Sequence, residues 1–126
     1  MRINTFDIDG VINMGDYDGV YPGKNDIIIT GRSFEERDET MELLSRKGIQ
    51  NAVYMNPLRF SEKSRKSSGT FKGFMIQTLN SLGYEVMIHY EDDPIQAYEI
   101  SFIVPEVKIV LLNHDLVEKE NVRHLL

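Results

Sequence analysis

The sequence predicts an α/β domain of Rossmann-like, three-layer build, with one five-stranded, mainly parallel sheet between helices. Three observations carry this. Short β-branched runs alternate with longer stretches of helical periodicity along the whole chain. The helical stretches open on capping sequences and close on Gly. Polar residues recur just after each apolar run, where an open parallel sheet binds its ligands.

Residues 2–8 read as a strand entering a Gly-containing turn. Residues 11–25 are rich in Gly, Asp, Asn and Tyr and read as loop, or as a small hairpin turning at Asp18-Gly19. Residues 26–30 form a buried β-branched strand ended by Gly31. Ser33-Phe34-Glu35-Glu36 fits a capping box, and the helix it starts runs to about Lys47 and stops at Gly48. Phe34, Met41 and Leu44 share its inward side.

Residues 50–55 are the third strand. Residues 56–69 read as a polar loop carrying Arg59, Lys63, Arg65 and Lys66. Lys72 then opens a helix whose inward positions are Phe71, Phe74, Met75, Thr78, Leu79 and Leu82, ended by Gly83. Residues 85–90 are the fourth strand. Asp93-Pro94-Ile95-Gln96 starts a helix, with Asp93 as N-cap, and Ile95, Tyr98 and Phe102 face inward. Residues 107–112 are the fifth strand, and Asp115 with Glu118 starts a last short helix. No repeat or linker divides the chain, so residues 1–126 make one domain.

Composition narrows the function classes. The chain of 126 residues has no Cys, which excludes disulfides, thiolate nucleophiles and Cys-based metal sites. A net charge of −6 argues against a broad basic face for nucleic acid. The apolar runs are far too short to span a bilayer, and MRINTFDID has no signal-peptide pattern. A soluble, cytoplasmic protein with no membrane partner is expected.

The strand ends carry the chemistry. Asp7 and Asp9 follow the first strand, Thr30, Gly31 and Arg32 the second, Glu91-Asp92-Asp93 the fourth, and Asn113-His114-Asp115 the fifth. Several carboxylates brought together call for a counterion, and hard oxygen donors in an open site suit Mg²⁺. Thr30 offers a hydroxyl. Lys72 offers a point charge suited to a phosphate oxygen or a nucleophilic carboxylate. These are parts that phosphoryl transfer needs. His89 reads as a strand-face residue, and His114 and His124 have no evident partner, so no histidine is assigned catalysis.

In this order, FDIDGV, a strand ending in Thr-Gly-Arg, a Lys opening a helix and an Asp-Asp pair after a strand, the chain resembles the haloacid-dehalogenase-like phosphatase superfamily over residues 3–103. The resemblance implies an aspartyl-phosphate on Asp7, with Asp9 as general acid and then general base. Thr30 would bind the phosphoryl oxygen with help from the Gly31 amide, and Arg32 would join them on the substrate. Lys72 would neutralise charge on Asp7 and the phosphate. Mg²⁺ would be held by Asp7, Asp92 and the Asp9 carbonyl, with Asp93 in support; Glu91-Asp92 is the competing pair. The spacing leaves no room for a cap domain, and the chain is also similar to the 3′-phosphatase domains of polynucleotide kinases. The implied partner is a phosphorylated substrate, either a small molecule such as a nucleotide or a nucleic-acid end. The alternative is a phosphate-binding protein of weak catalysis on the same fold.

A second tetrad, Asp16-Tyr17-Asp18-Gly19, follows the first almost at once. Neither copy is an EF-hand: the fifth and twelfth positions hold Val20 and Ile27 from Asp16, and Val11 and Asp18 from Asp7. The second copy reads as a turn in a flap over the site.

Overall fold

The computed structural model describes residues 1–119; His124 lies outside them. Five strands, β1 (Arg2–Phe6), β2 (Ile27–Ser33), β3 (Val53–Asn56), β4 (Glu85–Glu91) and β5 (Lys108–Leu111), form a single sheet in the order β3-β2-β1-β4-β5. Every pairing is parallel. Three helices complete the fold: α1 (Arg37–Arg46), preceded by a 3₁₀ turn at Phe34–Glu36, α2 (Arg65–Ser81) and α3 (Pro94–Ile103).

The alternating side chains of β2 explain the layers. Ile28 points to one face, where it meets Phe6, Ile8, Val11, Ile12 and Leu44 of α1. Ile27 and Ile29 point to the other, where they meet Ile76 and Leu79 of α2 and Ile100 of α3. Both faces are covered, so β2 opens on three consecutive buried Ile, and each fully buried Ile contributes about 1.5–3 kcal/mol.

Several boundaries and faces differ from expectation. β1 stops at Phe6, and β2 runs on past Gly31 to Ser33. Ser33 both ends the strand and caps the turn after it, through Glu35 N–H at 3.2 Å and the reciprocal Glu36 bond of 2.8 Å.

The stretch read as loop up to residue 69 is helical from Arg65, so Lys72 lies well inside α2 rather than at its start. Ser64 and Ser67 form the cap that starts it. Gly69 and Gly73 look like helix breakers but serve packing. A Cβ on Gly69 would lie 2.8 Å from the Gln96 Cα, and one on Gly73 would lie 2.8 Å from the Ile103 Cδ1. Their absence lets α2 and α3 lie close together.

The inward faces are also turned. Phe74 and Leu82 of α2, and Ile95, Tyr98 and Phe102 of α3, are exposed, as are Phe34 and Met41. The buried positions are Ser68, Gly69, Lys72, Gly73, Ile76 and Leu79 on α2, Gln96 and Ile100 on α3, and Thr40 and Leu44 on α1. Polar residues with internal partners take places that apolarity alone would give to others. The hairpin turns at Gly15-Asp16 rather than Asp18-Gly19, closed by Tyr17 N–H on the Met14 carbonyl at 3.1 Å. No helix follows β5 among the described residues.

Candidate active site

β1 is followed in sequence by its neighbour β2 on one side, while the chain crosses to β4 on the other. That makes β1/β4 the point where strand order reverses, and the crevice there is where such sheets bind ligands. Asp7 follows β1, and Glu91 and Asp92 stand at the end of β4. The Asp7 N–H donates to the Tyr90 carbonyl at 3.1 Å, which extends the pairing and fixes the start of the loop. Gly10, at φ 86°, turns the loop back. A Cβ there would sit 1.9 Å from Asp92 Oδ2, so only Gly leaves Asp92 its place.

The centre is a buried chain of charges. Lys72 Nζ donates to Asp7 Oδ1 at 2.9 Å and to Glu91 Oε1 at 2.8 Å. All three side chains are at most 3% exposed. Glu91 Oε1 also accepts from His89 Nε2 at 3.1 Å, and His89 Nδ1 lies 2.8 Å from the Thr5 hydroxyl. A carboxylate only accepts, so Nε2 carries the ring proton and Thr5 donates to Nδ1. Burial lowers the His89 pKa, in keeping with that neutral ring.

Three successive acids have three different fates. Burial alone would raise the Glu91 carboxyl, but Lys72 and His89 outweigh it and hold it well below the usual range. Its other oxygen faces the Asp92 and Asp93 amides at 3.3 and 3.4 Å. Asp93 caps α3 through Ile95 N–H at 2.9 Å and receives both prongs of Arg65 at 2.8 and 2.6 Å, with Gln96 at 3.2 Å. Burial works against its charge, but these donors lower its pKa. Asp93 is therefore the N-cap expected of it, and both of its oxygens are engaged by these donors.

Asp92 is different. Burial, then the charge of Glu91, raises its pKa, and its carboxylate is met by Lys119 Nζ at 3.2 Å. Burial raises Asp7 well above its ordinary value too, with Glu91 adding to it and Lys72 opposing.

One oxygen each from Asp7, Glu91 and Asp92 lies within 4.8 Å of the others. Asp7 and Asp92, hard oxygen donors whose charges burial disfavours, fit a divalent cation, and an ammonium already stands against Asp92 as a stand-in. Asp9 does not join this cluster. Its carboxylate takes both prongs of Arg32 at 2.8 Å each, and this bond raises the Arg32 pKa. Any metal role for Asp9 is left to its backbone carbonyl.

A polar cleft of about 340 Å³ opens beside this centre, lined by Asp9, Asn13, Arg32, Glu36, Glu39 and residues 117–119. Lys119 lines the cleft and also touches Asp92. The Thr30 hydroxyl accepts from Arg32 N–H at 3.1 Å, and the Gly31 carbonyl accepts from Lys63 and Asn56, so both brace the wall of the cleft without lining it. A larger hollow of about 520 Å³ lies between α2 and the segment before it, against Pro57, Leu58, Phe71 and Phe74. It is apolar, and no carboxylate or histidine lines it.

Lys63 and Arg65 of the basic cluster are used internally, whereas Arg59 and Lys66 are exposed. Lys63 is buried against Gly31 and Glu36, Arg65 is on Asp93, and Arg59 lies 4.0 Å from Glu35. Sequence reasoning missed His89, Thr5 and Lys119. The spacing of His89 and Glu91 on one face of β4 was the available signal for the first; nothing local marks the other two.

Comparison with known proteins found no matching family model, no similar curated protein and no similar solved structure.

Proposed function

We propose that the chain is a capless, Mg²⁺-dependent phosphomonoesterase acting through an aspartyl-phosphate on Asp7. The observation that carries the reading is Asp7 itself: a buried carboxylate at the strand-order reversal, 2.9 Å from a buried lysine and grouped with Glu91 and Asp92. An Asp7 oxygen attacks phosphorus, the bond to the leaving oxygen breaks, and Asp9 gives that oxygen a proton. Water then attacks the aspartyl-phosphate, Asp9 takes its proton, and phosphate leaves with Asp7 restored. Bound between Asp7, Asp92 and the Asp9 carbonyl, Mg²⁺ would neutralise charge building on the phosphoryl oxygens. Lys72 opposes the rise that burial and Glu91 impose on the Asp7 pKa, and Glu91 keeps Lys72 in place. The Arg32 fork matches a phosphate as well as it matches Asp9, so an arriving phosphate competes for it and frees Asp9 for proton transfer.

Four carboxylates and two cations line the cleft. Together with the internal use of Lys63 and Arg65, this favours a small phosphomonoester, such as a nucleotide, over a nucleic-acid 3′-end. A binding-only role is the second reading. It is favoured by the contacts that already occupy Asp9 and Asp92.

The test is phosphate release from a panel of sugar phosphates, nucleotides, phosphopeptides and 3′-phosphorylated oligonucleotides, with Mg²⁺ or EDTA. Metal-dependent release that vanishes in Asp7→Asn is expected. Release that survives in Asp7→Asn refutes the mechanism. Binding of panel members without release supports the second reading.

A further inference from the structure

After β5 the chain turns back across the ends of the strands instead of leaving the sheet. The Leu112 N–H bonds the Glu91 carbonyl at 2.8 Å. His114 Nε2 donates to the Gly10 carbonyl at 2.7 Å, and its Nδ1 accepts from Leu116 N–H at 3.1 Å. The imidazole thus ties this segment to the loop that carries Asp7 and Asp9. Val117 lies against Gly15, where a Cβ would come within 3.2 Å of it. The segment then delivers Lys119, whose ammonium meets three oxygens: the Asp92 carbonyl at 2.9 Å, Asp92 Oδ2 at 3.2 Å and the His114 carbonyl at 3.2 Å.

The two lysines of the site differ in kind. Lys72 is fully enclosed on a helix between two carboxylates, whereas the Lys119 side chain is 25% exposed, on a strap held by a few hydrogen bonds. Asp92, at 1% exposure, is the buried partner. A divalent cation and an ammonium seek the same hard oxygen and repel each other, so both cannot hold Asp92 at full strength.

We propose that Lys119 is a tethered counterion that holds Asp92 in the metal-free protein and competes with the divalent cation for it, so that the segment after β5 sets the metal affinity. The inference rests on reading the site as metal-dependent. It adds a device that limits loading at low metal concentration and loosens the strap as the cation enters.

The test is binding of the metal alone to the full chain: Mg²⁺ by calorimetry and Mn²⁺ by electron paramagnetic resonance. Lys119→Met keeps the apolar stem and removes the charge, and it is expected to bind either ion roughly tenfold more tightly than wild type. Lys119→Arg keeps a cation and is expected to stay close to wild type. Adding Mg²⁺ to the wild type is expected to shift the backbone amide signals of residues 114–119.

Equal affinity in wild type and Lys119→Met, or weaker binding in the variant, overturns the competition while leaving the metal-dependent reading intact. Metal binding that leaves the signals of residues 114–119 unmoved overturns the displacement of the strap. No binding of either ion to any of the three proteins overturns both this inference and the metal in the proposed function.

Discussion

The two Asp-x-Asp-Gly tetrads lie a few residues apart and have opposite fates. In the first, Asp7 is 2% exposed, paired with Lys72, and Asp9 is clamped by Arg32. In the second, Asp16, Tyr17 and Asp18 are exposed, and the tetrad lies outside the residues that line the cleft. The difference comes from what precedes each copy. The first follows a central strand held by β2 and β4, so its carboxylates arrive at the strand-order reversal already aimed. The second begins inside a tight turn closed by one isolated bridge between Met14 and Tyr17. The same Asp-x-Asp-Gly pattern becomes a buried, charge-paired cluster or a surface turn according to the strand beneath it.

The largest effect expected is on Asp7. Asp7→Asn should lower phosphate release by at least about a thousandfold, since the proposed nucleophile is lost. It should also stabilise the metal-free protein at neutral pH. Burial and Glu91 raise the Asp7 pKa above its ordinary 3.8 in the folded state, so the folded state binds this proton more tightly than the unfolded chain. Stability from this group therefore falls as pH rises through the raised value. Asn removes that penalty, and the gain in melting temperature should close as pH falls towards 3.8. A variant that melts lower than wild type at neutral pH would break the comparison, because Asp7 would then be a stabilising residue like any other.

Lys72→Met should come next, at about 3–5 kcal/mol of stability by urea unfolding, because two buried carboxylates lose their cation. An equal loss on truncating a surface lysine such as Lys24 would remove the special status of this pair.

The glycines sharpen the contrast. Gly10→Ala strains a positive φ and drives a methyl into Asp92, so metal binding and turnover should fail together. Gly19→Ala would place a Cβ 2.0 Å from the Ile12 carbonyl oxygen, and about 1–3 kcal/mol of stability should be lost, seen as a lower melting temperature. The smallest effect belongs to Asp16→Asn and Asp18→Asn, each within about 0.5 kcal/mol of wild type and with full turnover. A large loss of phosphate release there would move the chemistry to the second copy.

Much of this was legible from residues alone, and the reasons are physical. Ile27, Ile28 and Ile29 announce a strand buried on both faces, and Ser33 with Glu36 announces a helix start through reciprocal bonds within four residues. Such signals are local, so the sequence carries them whole. The start of α2 was hidden because Gly69 and Gly73 suit a loop as well as they suit a close helix–helix contact. The buried face of α3 was hidden because Gln96 is polar; its place inside depends on Asp93 and the neighbouring helix.

The sequence by itself determined the α/β alternation, the parallel sheet and the placing of acids at strand ends, since periodicity and capping act over a few residues. Only the tertiary structure decided which acid does what. Glu91, Asp92 and Asp93 are adjacent and chemically almost alike. His89 and Lys72 claim the first, Arg65 and the α3 amides claim the last, and the middle one is left facing Asp7 and Lys119. Apart from His89, 2 residues away, and the helix the acid itself caps, those partners come from 19 to 85 residues away along the chain. A carboxylate's role is set by the donors and charges that surround it, and folding chooses those.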